Sequence, residues 1–554
     1  MPRSTVALEQ ASKSQPQLPV WLCHMWQRLD RRRLGLILGA GVSIDAGLPT
    51  WKNLVERLTA RFPAVKKEFK AHRKAGLQET YITQIAYALH QAHVKGSTST
   101  LPRQFEQYQV DSTWMEVVHQ ELYRDIASLK YDQILQRHSY LKSLGQLVCR
   151  TELTVNFNFD DLVDEAAIGF ARDRSKVQPE VISRPKIETR RDASVIYHIN
   201  GSLPREARRR RSENLVFTED AFADVLISPT LHGSDFLMSR FATTTFLLLG
   251  TSLNDNSLKN MLRAGMKRNP ANHHYIVYWE DPARRRTDEE RRHIFDVNLD
   301  VYNLISIFLE TEQIAELVDL LNEEEAGLFE AELMKFSHHP ARRKYYLVGS
   351  VVAGKSSNLE GLRCFSTFEE WSGRAPETMY QDHRSLSVAQ RKEIDDWLYS
   401  QLREKNDKMR RAGVGMHVMD RCYLDLCAFS KTDAENVERL KELRARVCKH
   451  SGPLEAGQMI FLEADESALS DRQARRGKLR GVTMVIDYDG AALVKQSAVL
   501  KSVYMPEPAF TFDNSLEGSD QTSRRIARQI LLGEYKPFDF EKRIDELLAS
   551  GGKV

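Results

Sequence analysis

The chain has 554 residues, with 79 Lys and Arg against 76 Asp and Glu and a formal net charge of +3. That length leaves room for two large α/β domains, and the near-neutral balance gives no general pull toward nucleic acid or a membrane surface. Six cysteines (Cys23, Cys149, Cys364, Cys422, Cys427 and Cys448) form no C-x-x-C pair, and no apolar run reaches membrane-spanning length, so the expectation is a cytoplasmic protein without structural zinc.

Residues 1–20 are polar, lack a signal-peptide core and are expected as a flexible lead-in. Residues 21–340 alternate apolar runs with amphipathic stretches, the pattern of a parallel sheet with crossover helices. Strands are expected at Leu34 to Leu38, Leu153 to Phe157, Val195 to Ile199, Phe246 to Leu249 and Tyr275 to Trp279. Residues 52–150 read as a helical insertion. Within it, His90 and His93 have metal-like spacing but no third ligand nearby, so they are expected on a polar helix face. The runs Arg208 to Arg211 and Arg284 to Arg286 are either solvated loops or contacts for an anionic partner. An acidic helical stretch from Glu310 to Phe336, then Ser337-His338-His339-Pro340, marks a boundary. The second domain, residues 341–554, opens with a strand at Tyr345. Later strands are expected at Gly415 to Met419, Gln458 to Leu462, Thr483 to Ile486 and Ala509 to Phe512.

Each domain opens on a phosphate-binding signature. Gly39-Ala40-Gly41-Val42-Ser43-Ile44-Asp45-Ala46-Gly47-Leu48-Pro49 follows the first strand, and Gly349-Ser350-Val351-Val352-Ala353-Gly354-Lys355-Ser356 follows Tyr345-Tyr346-Leu347-Val348. Both predict a buried strand, a tight Gly turn and a helix start, an arrangement that aims N–H groups at phosphate.

The first signature lacks the third Gly of the dinucleotide fingerprint. With Trp51 following, it resembles the sirtuin superfamily, and most closely the bacterial sirtuin-like NAD hydrolases of antiphage defence. Three further segments match that pattern in order: Asn156-Phe157-Asn158-Phe159-Asp160, His198-Ile199-Asn200-Gly201, and Gly250-Thr251-Ser252-Leu253-Asn254-Asp255. The resemblance implies a Rossmann-like domain that takes NAD as substrate. Gly39, Ala40, Gly41, Ser43 and Asp45 would cradle its diphosphate, with Asn200, Gly250, Ser252 and Asp255 lining the rest of the pocket. It also implies that Asn158 orients ribose and water and that Asp160 supports the ribose or nicotinamide end. The family's base precedes the Gly, where this chain has Asn200. His198, two residues earlier on the same strand face, is expected to replace it; otherwise Asn158 acts alone or the domain binds NAD without turnover. Protein deacylases of the superfamily carry a zinc module with two C-x-x-C pairs that this sequence lacks, which favours hydrolysis over deacylation.

The second signature satisfies G-x-x-x-x-G-K-[ST] in full. Lys355 is expected on the β- and γ-phosphates of ATP or another nucleotide, and the Ser356 hydroxyl on Mg²⁺. Asp420-Arg421 after a strand, and Arg472, Arg475 and Arg476 in a lid-like segment, resemble deoxynucleoside and nucleoside-monophosphate kinases. The fold expectation is therefore α/β in two domains: a Rossmann-like parallel-sheet domain with a helical insertion, then a P-loop nucleotide-kinase-like parallel-sheet domain. The resemblances together imply an NAD hydrolase acting in antiphage abortive infection, gated by a nucleotide sensor. A homo-oligomer and a phage-derived trigger are expected, with neither membrane nor nucleic acid as partner. A bifunctional enzyme with an active kinase half, and a non-catalytic nucleotide-binding module of a larger complex, are the alternatives.

Overall fold

The computed structural model describes the whole chain except residues 1–5, 62–78, 98–102, 184–189, 191, 207–214, 217–233, 381–385, 481–488 and 505–509. The expected strand at Thr483 to Ile486 and the basic run Arg208 to Arg211 lie outside the described residues. The fold is α/β with two sheets. By contacts the chain divides into two units, one of residues 1–15, 28–268 and 274–325, the other of residues 16–27, 269–273 and 326–554.

The first unit holds a seven-stranded sheet of β1 (Leu34–Leu38), β2 (Leu153–Asn156), β3 (Glu180–Ile182), β4 (Val195–His198), β5 (Thr245–Leu249), β6 (His274–Trp279) and β7 (Leu304–Leu309), in the order β3-β4-β2-β1-β5-β6-β7. All of its neighbouring pairs are parallel. Parallel strands covered on both faces need continuous apolar runs, and β1, β5 and β7 are buried along their whole length. Ile37, Val155, Tyr197, Phe246, Leu248 and Ile276 form the centre of this core. Each such fully buried Leu, Ile, Val or Phe stabilises the unit by roughly 1.5–3 kcal/mol.

Local signals set the punctuation. The helix Asp288–Tyr302 starts at a reciprocal cap, in which Glu290 N donates to Thr287 Oγ1 at 3.2 Å and Thr287 N to Glu290 Oε2 at 2.8 Å. It ends at Asn303, whose φ of +52° turns the chain directly into β7. That Asn, followed by Leu-Ile-Ser-Ile-Phe-Leu, is a legible strand signal, although β7 is not among the expected strands; nor is the short edge strand β3. Between β1 and β2 the described residues are helical, including Glu79–Ser97, Arg103–Tyr123 and Ser139–Arg150. In that insertion His90 Nε2 pairs with Thr113 Oγ1 at 2.9 Å, so the ring serves helix packing. The stretch expected as a flexible lead-in contains the helix Val6–Ser14, because Leu8 and Ala11 bury and Leu8 N donates to Glu316 at 2.8 Å.

The second unit holds a five-stranded sheet of β8 (Arg342–Val348), β9 (Ser366–Phe368), β10 (Gly415–Asp420), β11 (Gln458–Glu463) and β12 (Phe510–Asp513), in the order β12-β11-β8-β10-β9, with all neighbours parallel. Tyr346, Val348, Met419, Tyr423, Phe461 and Phe540 lie in its core.

In both sheets the strand carrying the glycine signature is the one from which the chain departs toward one side while a later strand continues toward the other. In the first sheet this is β1 against β5, and in the second β8 against β11. Crevices at the carboxyl ends of such strand pairs are where open α/β sheets bind ligands.

Candidate functional site

In the first unit, the register pairs Leu38 with Asn156 and with Leu249, and Asn156 with His198, so the ends of β1, β2, β4 and β5 come together. Gly39 N donates to Leu249 O at 3.0 Å and Gly41 N to Gly250 O at 2.9 Å. The two glycine segments touch main chain to main chain: a Cβ on Gly39 would lie 2.5 Å from Gly250 O, and one on Gly250 2.5 Å from Val42 N. Gly250 also has a φ of +66°. The helix after the turn is short, Gly41–Ile44, with Ala40 as its N-cap. A helix of one turn adds little dipole to the expected helix start.

Asn158 and Asp160 reach this turn from the end of β2, and both are buried. Asn158 Nδ2 donates to Gly39 O at 3.0 Å. Ser43 Oγ donates to Asp160 Oδ1 at 3.1 Å, and Leu162 N donates to the same oxygen at 3.2 Å. The Ser43 hydroxyl, expected against a diphosphate, is here directed at a carboxylate. Burial pushes the Asp160 carboxyl up to about 7; the Leu162 and Ser43 hydrogen bonds oppose the rise, while Asp161 and Asp164 add to it.

His198 is fully buried. Its Nδ1 lies 2.9 Å from Asn158 O, and its Nε2 lies 3.0 Å from Asp164 Oδ2. A carbonyl and a carboxylate are both acceptors, so this arrangement favours a ring protonated on both nitrogens. Burial disfavours that charge, but Asp164 outweighs it and holds the ring at about 9. In this arrangement the ring joins β4 to β2 and to the helix Leu162–Asp173, and its doubly protonated form has no lone pair to offer as the expected base. Asp164 is the residue that sequence reasoning missed; its signal was a carboxylate one turn into the helix after Asn158 and Asp160.

The other expected residues are placed as follows. Asn200 Nδ2 donates to Phe157 O at 3.3 Å, and the Asn200 main-chain carbonyl accepts from Val216 N at 3.0 Å. Asp255 Oδ1 accepts from Leu258 N at 2.9 Å at the start of the helix Asn256–Arg268, and burial raises its carboxyl. Asp45 and Ser252 are exposed. Asp161, next to Asp160, binds the insertion: Tyr131 OH donates to its Oδ1 at 2.7 Å and Tyr123 OH at 3.2 Å. In the basic run, Arg285 pairs with Glu310 and Arg286 with Glu280, and Arg286 lies over the Tyr278 ring.

In the second unit, Gly349–Ser356 links β8 to the helix Lys355–Gly361. Lys355 folds over the loop, its Nζ donating to Gly349 O at 2.9 Å and to Ser350 O at 2.7 Å. Burial, and then the Arg421 charge, lower this lysine to about 8. Ser356 Oγ donates to Asp420 Oδ2 at 2.8 Å, and Asp420 Oδ1 is buried with no partner among the described residues. Gly354 has a φ of +96° and packs on Asn514, whose Nδ2 donates to Ala353 O at 2.8 Å. Arg472 Nη1 donates to the same carbonyl at 3.4 Å, so this arginine packs on the loop; Arg475 and Arg476 follow on its helix, Glu466–Arg480.

Arg421, with a φ of +63°, pairs with Glu370 and lies 4.0 Å from Asp425. Tyr504 OH donates to Asp425 at 2.7 Å. Lys405 Nζ donates to Asp420 O at 3.0 Å beneath the Trp371 ring. Beside these groups a cavity of about 300 Å³ is lined by Thr367, Phe368, Glu369, Trp371, Lys405 and Met419. Glu370, Trp371, Lys405, Asp425 and Tyr504 were all missed from sequence. The two carboxylates and the Trp directly after β9 were the signal, hidden because β9 itself was not recognised.

Among the described residues no helix is long and apolar enough to cross a membrane. No curated protein matches the chain. Residues 152–302 match the family described as SIR2-like domain, a span that includes Asn158, Asp160, Asp164, His198 and Gly250 but not the Gly39–Pro49 segment. This part of the chain is similar to SIR2-like domains, a class that binds NAD, and the match is compatible with NAD-dependent chemistry.

Proposed function

We propose that the first unit hydrolyses NAD to nicotinamide and ADP-ribose, and that the second binds a nucleotide and gates that reaction. The convergence of Asn158 and Asp160 on the glycine turn, at the sheet's switch point and inside the SIR2-like span, carries the reading. The residues fit the substrate chemically. Asn158 Oδ1 and Asp160 Oδ2 are oxygen acceptors beside the glycine turn, whose Gly39 and Gly41 N–H groups are held by Leu249 O and Gly250 O. Cleaving the bond from ribose to nicotinamide builds positive charge on the sugar, which a buried carboxylate stabilises.

The gate reading rests on the Gly349–Ser356 segment, taken as a P-loop with Lys355 for phosphate and Ser356 and Asp420 on the metal side. A nucleotide that binds two states of the second unit unequally shifts the balance between them, and with it the first unit's activity. The sequence resemblance supports an antiphage abortive-infection effector, cytoplasmic and homo-oligomeric, that answers a phage-derived trigger. A second reading, phosphate transfer to a deoxynucleoside or its monophosphate, is favoured by the cavity beside Asp420 and Arg421, whose Trp and Phe rings suit a planar base and whose lysines suit an anion.

The test is nicotinamide release from NAD by purified protein, with and without nucleoside mono- and triphosphates plus Mg²⁺, with Asn158→Ala as control. Nucleotide-dependent release that the variant abolishes supports a gated hydrolase. NAD binding without release under every condition supports the non-catalytic module. Labelled-phosphate transfer from ATP to the added acceptors supports the kinase reading.

A further inference from the structure

We propose that Asp160, through its Oδ2 atom, is the group that takes the proton from the attacking water. The inference rests on the NAD-hydrolase reading above and assigns the base that this reading lacks. Two candidates stand near the expected position, and both are occupied: His198 is doubly protonated between Asn158 O and Asp164, and the Asn200 amide has no basic nitrogen. Asp160 is different. Ser43 Oγ and Leu162 N both donate to Oδ1, whereas Oδ2 accepts no hydrogen bond from the described residues, and the residue is 4% exposed.

The charged and titratable groups facing this carboxyl are Asp161 and Asp164 from its own helix start, His198 from β4, and Tyr123 from the helix Arg103–Tyr123. Burial and the two neighbouring carboxylates bring Asp160 to about 7, near the working pH of an efficient base. In the step, the water oxygen bonds to C1′ of the ribose as the C1′–N bond breaks. The electron pair of that bond leaves on the pyridine nitrogen as neutral nicotinamide, and a water proton passes to Oδ2.

The experiment is the pH dependence of nicotinamide release, with whatever nucleotide stimulates it, alongside infrared titration of the buried carboxyl and calorimetric NAD binding. The wild-type rate is expected to rise with pH through about 7, with a protonated-carboxyl band disappearing over the same range. Asp160→Asn keeps the Oδ1 hydrogen bonds and NAD binding, removes the band, and lowers the rate about 100-fold or more without the acid limb. Ser43→Ala removes a hydrogen bond to the charged form, so limb and band both move to higher pH. An Asp160→Asn protein that keeps its rate and limb, or a limb unmoved by Ser43→Ala, overturns the assignment while leaving the hydrolase reading intact. A wild-type protein that binds NAD and never releases nicotinamide overturns both.

Discussion

The two glycine turns occupy the same place in their sheets and present opposite chemistry. At Gly39 the turn is braced by another main chain, that of Gly250, and the side chains that reach it are an amide and a carboxyl, with a buried His198–Asp164 pair behind them. At Gly349 the turn is wrapped around a lysine, and Asp420, Lys405 and Arg421 stand alongside. The same strand-turn-helix signature is therefore set in two different surroundings. The side chains delivered by the other strands decide whether the place favours a developing cation or a standing anion.

The sharpest way to break the first half of this contrast is Asp164→Ala. Removing one partner of a buried ion pair leaves the His198 charge uncompensated, and about 3–5 kcal/mol of stability should go with it, measured by chemical denaturation. The pH dependence carries the sign. His198 is raised from an ordinary 6.5 to about 9, so its contribution is complete below about 6.5 and is lost as pH rises through 9. Asp164→Asn should flatten that alkaline decline; a slope unchanged from wild type would remove the imidazolium from the account.

Next in size is Gly250→Ala. Its Cβ would sit against Val42 N, which costs roughly 1–3 kcal/mol as overpacking, and its φ of +66° adds about 1–2 kcal/mol. Gly169 in the helix Leu162–Asp173 has nothing within 4 Å of a built Cβ, so Gly169→Ala should stabilise by about 0.5–1 kcal/mol instead. Equal effects at the two glycines would mean that the Gly39–Gly250 contact is not as close as described.

Much of this was legible in the chain. The strands β1, β2, β4, β5, β6, β8, β10 and β11 announce themselves as buried apolar runs, and the two glycine signatures follow their strands as expected. What escaped has physical reasons. β3 and β9 are three-residue edge strands with too few side chains to show a period. The state of His198 depends on Asp164, which arrives from a different element and so leaves no mark at the histidine's own position. The pair formed by Arg421 and Glu370 was hidden in the same way, because its acidic half follows the unrecognised β9.

The second half of the contrast is tested by Lys355→Ala. A hydrogen bond to a charged group is worth about 1.5–3 kcal/mol, so nucleotide affinity, read with a fluorescent ATP analogue, should fall roughly 10- to 100-fold. NAD affinity of the first unit should stay as it is. A parallel loss of NAD binding would mean that the two turns do not act on separate ligands.

The smallest effect separates the two turns at the level of backbone. Val352 has a φ of +58°, in a region that β-branched residues rarely enter. A non-glycine residue there costs about 1–2 kcal/mol, partly offset in any comparison by the greater entropy that glycine loses on folding, about 0.5–1 kcal/mol. Val352→Gly should therefore leave the second unit as stable as before or more stable by up to about 1.5 kcal/mol. If the strain instead holds the loop in one state of the gate, the same variant should alter the nucleotide concentration that half-maximally stimulates nicotinamide release while its melting temperature barely moves. A drop in stability would show that the Val352 side chain contributes packing that outweighs its backbone, and the loop would then be a rigid part of the core.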